Sequence, residues 1–148
     1  MDRPGCLACD LTCGRRPLPG GVVHATDLWR VEHCIGPLGL GALIAKPVRH
    51  VEHVAYLTPA ESAELGPLLQ RLAAVVTDLC APQQVYVCLW SHGPVHIHFV
   101  VQPVSDGLMA EFDAHGPALQ VAMFSAGRPP DEREVEAFAE QARTALRD

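Results

Sequence analysis

Two hydrophobic periods organise this chain. From residue 21 to 47, and again from 84 to 104, apolar and polar residues tend to alternate, as in strands with one buried face. "GVVHATD" and "LWRVEHCI" read as a strand pair joined near Asp27, and "ALIAKP" as a third strand stopped by Pro47. "QVYVCLWS" and "VHIHFVVQPV" supply the fourth and fifth, and "GPLGLG" (Gly36 to Gly41) is a glycine-rich turn. A helical period takes over in "LTPAESAELGPLLQRLAAVVTDLC", where Leu65, Leu68, Leu69, Leu72, Val76 and Leu79 form one apolar stripe. Thr58 fits the N-cap, Pro59 the first helical position and Glu61 the reciprocal place of a capping box. Gly66-Pro67 predicts a kink or two helical pieces. After Asp106, "DGLMAEFDAH" and "GPALQVAMF" read as short helices. "DEREVEAFAEQARTALRD" reads as a longer one, with Asp131 and Glu134 at capping positions and Val135, Phe138, Ala142 and Leu146 facing inward. Three strands, a helix, two strands and then helices predict an α+β domain with a mainly antiparallel five-stranded sheet.

Composition narrows the class. A chain of 148 residues with 49% hydrophobic content is long enough and apolar enough for one packed globular domain. A net charge of −6 argues against binding nucleic acid or an anionic membrane through bulk charge. "MDRPGCLACD" has no apolar signal-peptide core, and "LGLGALIA" is too short to span a bilayer, so a soluble, cytoplasmic protein is expected. In that setting six cysteines do not imply disulfides. Cys80 and Cys88 fall in helix and strand patterns, as small buried hydrophobes do.

Two features carry candidate chemistry. His96 and His98 are two apart in the fifth strand pattern, so both imidazoles point to one face while Val95, Ile97, Phe99 and Val101 point to the other. Two solvated histidines on a half-exposed strand would give the same pattern. Cys6-x-x-Cys9 lies in a loop-like setting and has the spacing with which two thiolates bind one zinc ion, although a redox pair or chance also produces it. No second C-x-x-C follows, so any further ligands would be histidines.

The ordered set of these motifs resembles the histidine triad (HIT) family of nucleotide hydrolases and transferases. That family's signature, His-φ-His-φ-His-φ-φ with φ apolar, is similar to Pro94-Val95-His96-Ile97-His98-Phe99-Val100, with Pro94 in the first histidine's place. Many bacterial relatives open with C-x-x-C and carry Gly, an apolar run and Pro-x-x-His on the third strand. Here these correspond to Cys6 and Cys9, then Gly41, "ALIAK", Pro47 and His50. The likeness covers about residues 6–104 of a single domain, 1–148; the helical extension, about 105–148, has no counterpart in it.

The resemblance implies cleavage at the α-phosphate of nucleoside phosphoramidates or dinucleoside polyphosphates through a covalent nucleotidyl-histidine. In this register His96 is the nucleophile and His98 stabilises charge on the phosphate. A phosphorylase or nucleotidylyltransferase is the related alternative, and a non-catalytic zinc-stabilised nucleotide-binding or interaction module the alternative of another class. For the substrate it implies Ser91 near the leaving group and a carboxylate at the end of the second strand on the ribose, of which Glu32 is the candidate among Glu32, His33 and Cys34. Trp90 and Trp29 could stack on a base; Trp29 fits the core better. For a structural zinc it implies Cys6, Cys9, His50 and, in place of the missing first histidine, His92, with His53, Cys13 and His24 as reserves. His24, His33 and His115 otherwise read as structural or surface residues. A homodimer built through the long helix and an edge strand is implied as well.

Overall fold

The structure is a computed structural model and describes residues 2–147. Its centre is a five-stranded antiparallel sheet built from β1 (Val22–Ala25), β2 (Trp29–His33), β3 (Leu43–Pro47), β4 (Gln84–Cys88) and β5 (Phe99–Val104), in the spatial order β1-β2-β3-β5-β4. The helices are α1 (Leu7–Thr12), α2 (Pro59–Cys80), α3 (Asp106–Phe112), α4 (Gly116–Ala126) and α5 (Glu132–Leu146). The α+β expectation, with five strands and a long helix, is met. Among the described residues no helix is long and apolar enough to cross a membrane.

Period-two alternation divides the sheet into two faces. Trp29, Val31, Leu43, Ala45, Phe99 and Val101 pack on one side with Leu68, Leu72 and Val76 of α2 and Phe138, Ala139 and Ala142 of α5. The opposite face carries Glu32, Lys46 and Val100 toward a cleft beside α1, and Val104 toward Leu119 and Met123 of α4. The α2 stripe is therefore used within the chain, with Leu65, Leu69 and Leu79 also packed against that core. On α5, Val135, Phe138, Ala142 and Leu146 are buried as their spacing requires, and the Asp131 carboxylate accepts from the backbone of Arg133 and Glu134.

Helix α2 begins at a complete capping box: Glu61 N–H donates to Thr58 Oγ1 at 3.1 Å, and Thr58 N–H to Glu61 Oε2 at 2.8 Å. Gly66-Pro67 does not split it; one 22-residue helix runs through. Ala63, Gly66 and Pro67 are all exposed, so water can serve the Ala63 carbonyl that Pro67 leaves without a donor. The segment around Cys6 and Cys9 is helical rather than a loop, with Cys6 at the N-cap of α1 and Cys9 one turn on. The fifth strand also starts later than its pattern, at Phe99 rather than Val95. Its ladder with β3 ends where Ala45 pairs Phe99, and residues 95–98 precede it outside the ladder, with Ile97 N–H donating to Val51 O at 2.8 Å.

The turn after β2 is held from both sides of one ring. His33 Nδ1–H donates to Cys34 O at 2.8 Å, and Nε2 accepts from Gly41 N–H at 2.9 Å. That pair of bonds requires the neutral imidazole, and burial likewise pushes its pKa below the usual histidine value. Gly41 has φ +92°, and a Cβ there would lie 2.7 Å from Cys80 Sγ and 3.1 Å from Pro103 Cγ.

Two outcomes follow for this turn. Gly41→Ala should cost about 2 kcal/mol or more, from left-handed strain plus overpacking, read by urea melts; an unchanged midpoint would contradict the packing. His33 takes a proton more readily when unfolded than when folded. Its contribution is thus complete above about pH 6.5, the unfolded value, and is lost as pH falls toward the lower folded value. His33→Gln keeps a donor and an acceptor without titrating, so its stability should decline less than the parent's between pH 7.5 and 5.5. Parallel declines would remove His33 from the account.

Candidate functional site

Three separate segments bring four metal-ligand side chains together. Cys6 and Cys9 come from the first turn of α1, His50 from the loop after β3, and His96 from the segment just before β5. One ligand atom from each lies within 4.8 Å of the others. Cys9 Sγ is 3.4 Å from both His50 Nδ1 and His96 Nδ1. Tetrahedral zinc, with bonds of about 2.3 Å to sulfur and about 2.0–2.1 Å to nitrogen, separates its sulfur and nitrogen ligands by about 3.6 Å. The spacing therefore fits a zinc ion.

The surroundings suit the same purpose. His50 Nε2–H donates to Glu52 Oε1 at 3.2 Å, and Arg3 donates to that oxygen at 2.7 Å. This leaves the His50 Nδ1 lone pair facing the cluster, the carboxylate–histidine arrangement that orients metal ligands. His96 is 1% exposed, and burial, followed by the neighbouring His50 and Lys46, pushes its pKa down to about 4. It is thus the neutral imidazole a metal needs.

Beside the cluster lies a cleft of about 300 Å³. Leu7, Ala8 and Leu11 of α1 line one wall, Ile35, Leu38 and Phe124 another, and Glu32, Lys46, His98 and Val100 come from the sheet side. His98 is half-buried, and its Nδ1–H donates to His96 O at 3.1 Å. Nε2 is therefore the ring nitrogen with a lone pair to offer. Lys46 and Glu32 form a buried ion pair at 2.5 Å, and the ammonium also donates to Ala8 O at 2.9 Å. Burial pushes the Glu32 carboxyl up while Lys46 draws it back down.

The structure separates several residues that the sequence suggested together. His92 is exposed and lies outside the cluster; the Gly93-Pro94 turn does not bring it back, and His96 takes that place. His96 is consequently sealed among sulfur and imidazole groups, and His98 is the half-exposed one of the pair. Ser91 bonds weakly to Val95 O at 3.4 Å, and Trp90 donates to Gln120 Oε1 at 2.8 Å beside α4; neither lines the cleft. Glu32 does line it, with one oxygen taken by Lys46. Cys13 is exposed beside Asp2, His53 meets Tyr56 edge to face, and His24 sits on β1; none joins the cluster. Trp29 is fully buried in the core. Sequence reasoning missed Lys46, whose signal was a lone cation on a strand otherwise suited to burial.

No protein-family model matches the sequence, and no curated protein matches it. Solved structures do match in fold. A Hit-like protein involved in cell-cycle regulation from Bartonella henselae aligns with TM-score 0.74 at 15% identity, over 97% of this chain and 98% of that one. A zinc-bound histidine triad family protein from Mycobacterium smegmatis gives 0.70 at 19%, over 97% and 94%. A hypothetical histidine triad nucleotide-binding protein from Sulfolobus tokodaii gives 0.71 at 15%, over 96% and 92%. Such coverage takes in the C-terminal helices, for which the sequence offered no counterpart. At these identities the likeness is one of architecture: the chain has the fold of the histidine triad proteins.

Proposed function

We propose that this protein binds a nucleotide in the cleft and cleaves or transfers it at the α-phosphate, with His98 as the nucleophile. The observation that carries the reading is the pairing of roles along three residues: His96 is drawn into the Cys/His cluster, and His98 faces the cleft with Nδ1 tied to the His96 carbonyl. In the zinc-bearing members of the family that the sequence resembles, the first histidine of the signature can serve as a metal ligand. With His96 in that position, His98 becomes the second histidine and Val100 stands where the third would be, a register two residues later than the one read from sequence.

Zinc held by Cys6, Cys9, His50 and His96 would have four protein ligands and no open position, so its part is to crosslink α1 to the sheet. The reaction belongs to His98. Its Nε2 attacks phosphorus, the bond to the leaving group breaks, and the Nδ1–H···O bond to His96 stabilises the positive charge the ring acquires. Water or another acceptor then releases the nucleotide and restores the imidazole. A homodimer belongs to the same reading; β4 lies at the sheet edge and leaves Val87 exposed, whereas the α2 stripe is used within the chain. So does a cytoplasmic setting.

Val100 favours a second reading. Without a third histidine to hold the phosphate, the fold would bind nucleotides and turn them over poorly or not at all.

The metal is checked first. Purified protein should carry about one zinc per chain by elemental analysis. Cys9→Ser should lose it and destabilise the fold, since binding energy here is folding energy. His96→Ala should weaken retention far more than His92→Ala; equal retention would remove His96 from the ligand set.

Chemistry is checked by trapping. Rapid alkaline quench of the protein with a nucleoside phosphoramidate should yield an alkali-stable, acid-labile nucleotidyl adduct. His98→Ala should abolish it and lower turnover by several powers of ten. Val100→His should raise turnover by about a hundred-fold or more, the size of one charge-stabilising group. Nucleotide binding without any adduct or turnover would establish the second reading instead.

A further inference from the structure

Sites that hold several phosphates meet the added charge with arginine or lysine. Among the described residues no arginine lines this cleft, and its one lysine is Lys46. That side chain is 0% exposed, and Glu32 Oε1 and Ala8 O take two of its three protons, so it presents no cation to a ligand. The arginines nearest in sequence to the cluster residues are also engaged: Arg3 with Glu52, Arg15 with Asp2 and Asp10, and Arg49 with Glu61.

The charges that do line the cleft cancel. Lys46 and Glu32 neutralise each other. Two thiolates and two neutral imidazoles around a divalent ion sum to zero as well. His33 is held neutral by its two backbone bonds, and burial raises the Cys34 thiol above its usual pKa, which keeps it protonated. Every other lining side chain except His98 is aliphatic or aromatic, including the exposed Leu7 on the α1 wall and Phe124 on the α4 wall. His98 attacks as the neutral ring and gains one positive charge in doing so. The site can therefore answer one negative charge, and it does so within a protein of net charge −6.

Resting on the nucleotide reading above, we propose that the cleft selects its ligand by charge, accepting nucleotides with a single phosphate and rejecting those that carry a second. A β-phosphate brings at least one more negative charge. Inside the cleft it meets apolar side chains, which cannot replace its hydration. Outside, it meets the field of a negatively charged protein with no cation to offset it. The selection sets aside dinucleoside polyphosphates as substrates, because each has a leaving group that is itself a phosphate. It leaves nucleotides whose α-phosphate is joined to an uncharged group.

Calorimetric titration of the intact, metal-loaded protein with AMP, ADP and ATP, and with GMP, GDP and GTP, tests this in the absence of magnesium. In whichever series binds, affinity should fall with each added phosphate, the triphosphate binding at least five-fold more weakly than the monophosphate. Raising sodium chloride from about 20 mM to about 500 mM should bring the two within about two-fold, since salt screens exposed charge. Leu7→Lys and Phe124→Lys each place a cation on an exposed part of the cleft wall. At least one of them should raise triphosphate affinity relative to monophosphate affinity about five-fold or more. Equal or tighter binding of the triphosphate by the parent overturns the charge selection and leaves the nucleotide reading standing. So does a gap that persists at high salt, or a ratio unchanged in both lysine variants. Failure of all six nucleotides to bind overturns the nucleotide reading itself, and this inference with it.

Discussion

Four donors from three separate segments meet within 4.8 Å beside the sheet. That convergence constrains most of what surrounds it. It holds the short helix α1, which at six residues has little stability of its own, against the loop after β3. It also draws His96 inward, which sets the direction of His98 two residues later. The wall of the cleft and the imidazole facing it thus depend on one junction. An arrangement that buries two imidazoles and a thiol together is costly unless each polar atom finds a partner, and a shared cation answers that need more fully than one thiol proton can.

The sheet makes the cleft possible by treating its faces unequally. α2 and α5 cover one face with continuous apolar packing around Trp29, Leu72 and Phe138. The other face is covered in pieces, by α4 near β4 and β5 and by α1 near the cluster, with the cleft alongside. Alternation along β2 and β3 then delivers Glu32 and Lys46 to the cleft side while their neighbours Val31 and Ala45 enter the core. One register thus serves both the core and the cleft, and a slip by one residue would exchange them.

Helix positions, strand identities and the α+β class were legible in the sequence because each rests on local chemistry. The capping box at Thr58 and Glu61, the stripe from Leu65 to Leu79 and the inward face of α5 depend on residues within a few positions of one another. Gly66-Pro67 misled in the opposite sense: locally it disfavours a helix, but its exposure lets water replace the lost bond. The helical state of the Cys6–Cys9 segment was also hidden, because a six-residue helix held by tertiary contacts leaves almost no periodic trace.

The candidate site divides along the same line. Spacing pointed to Cys6, Cys9, His96 and His98, and the family resemblance added His50 and Glu32, since thiols, imidazoles and a carboxylate are recognisable wherever they occur. Which of them share a centre was decided only by tertiary structure. A motif with one histidine missing can be aligned in two registers, and local sequence cannot choose between Pro94 and His96 as its first position. The register proposed above, with His96 first, rests on contacts 41 and 87 residues apart in the chain, where His50 and His96 each reach Cys9. The pairing of Lys46 with Glu32 was set in the same way. Neighbouring antiparallel strands bring a lone cation on β3 onto a lone carboxylate on β2, a relation that strand pairing creates and linear order conceals.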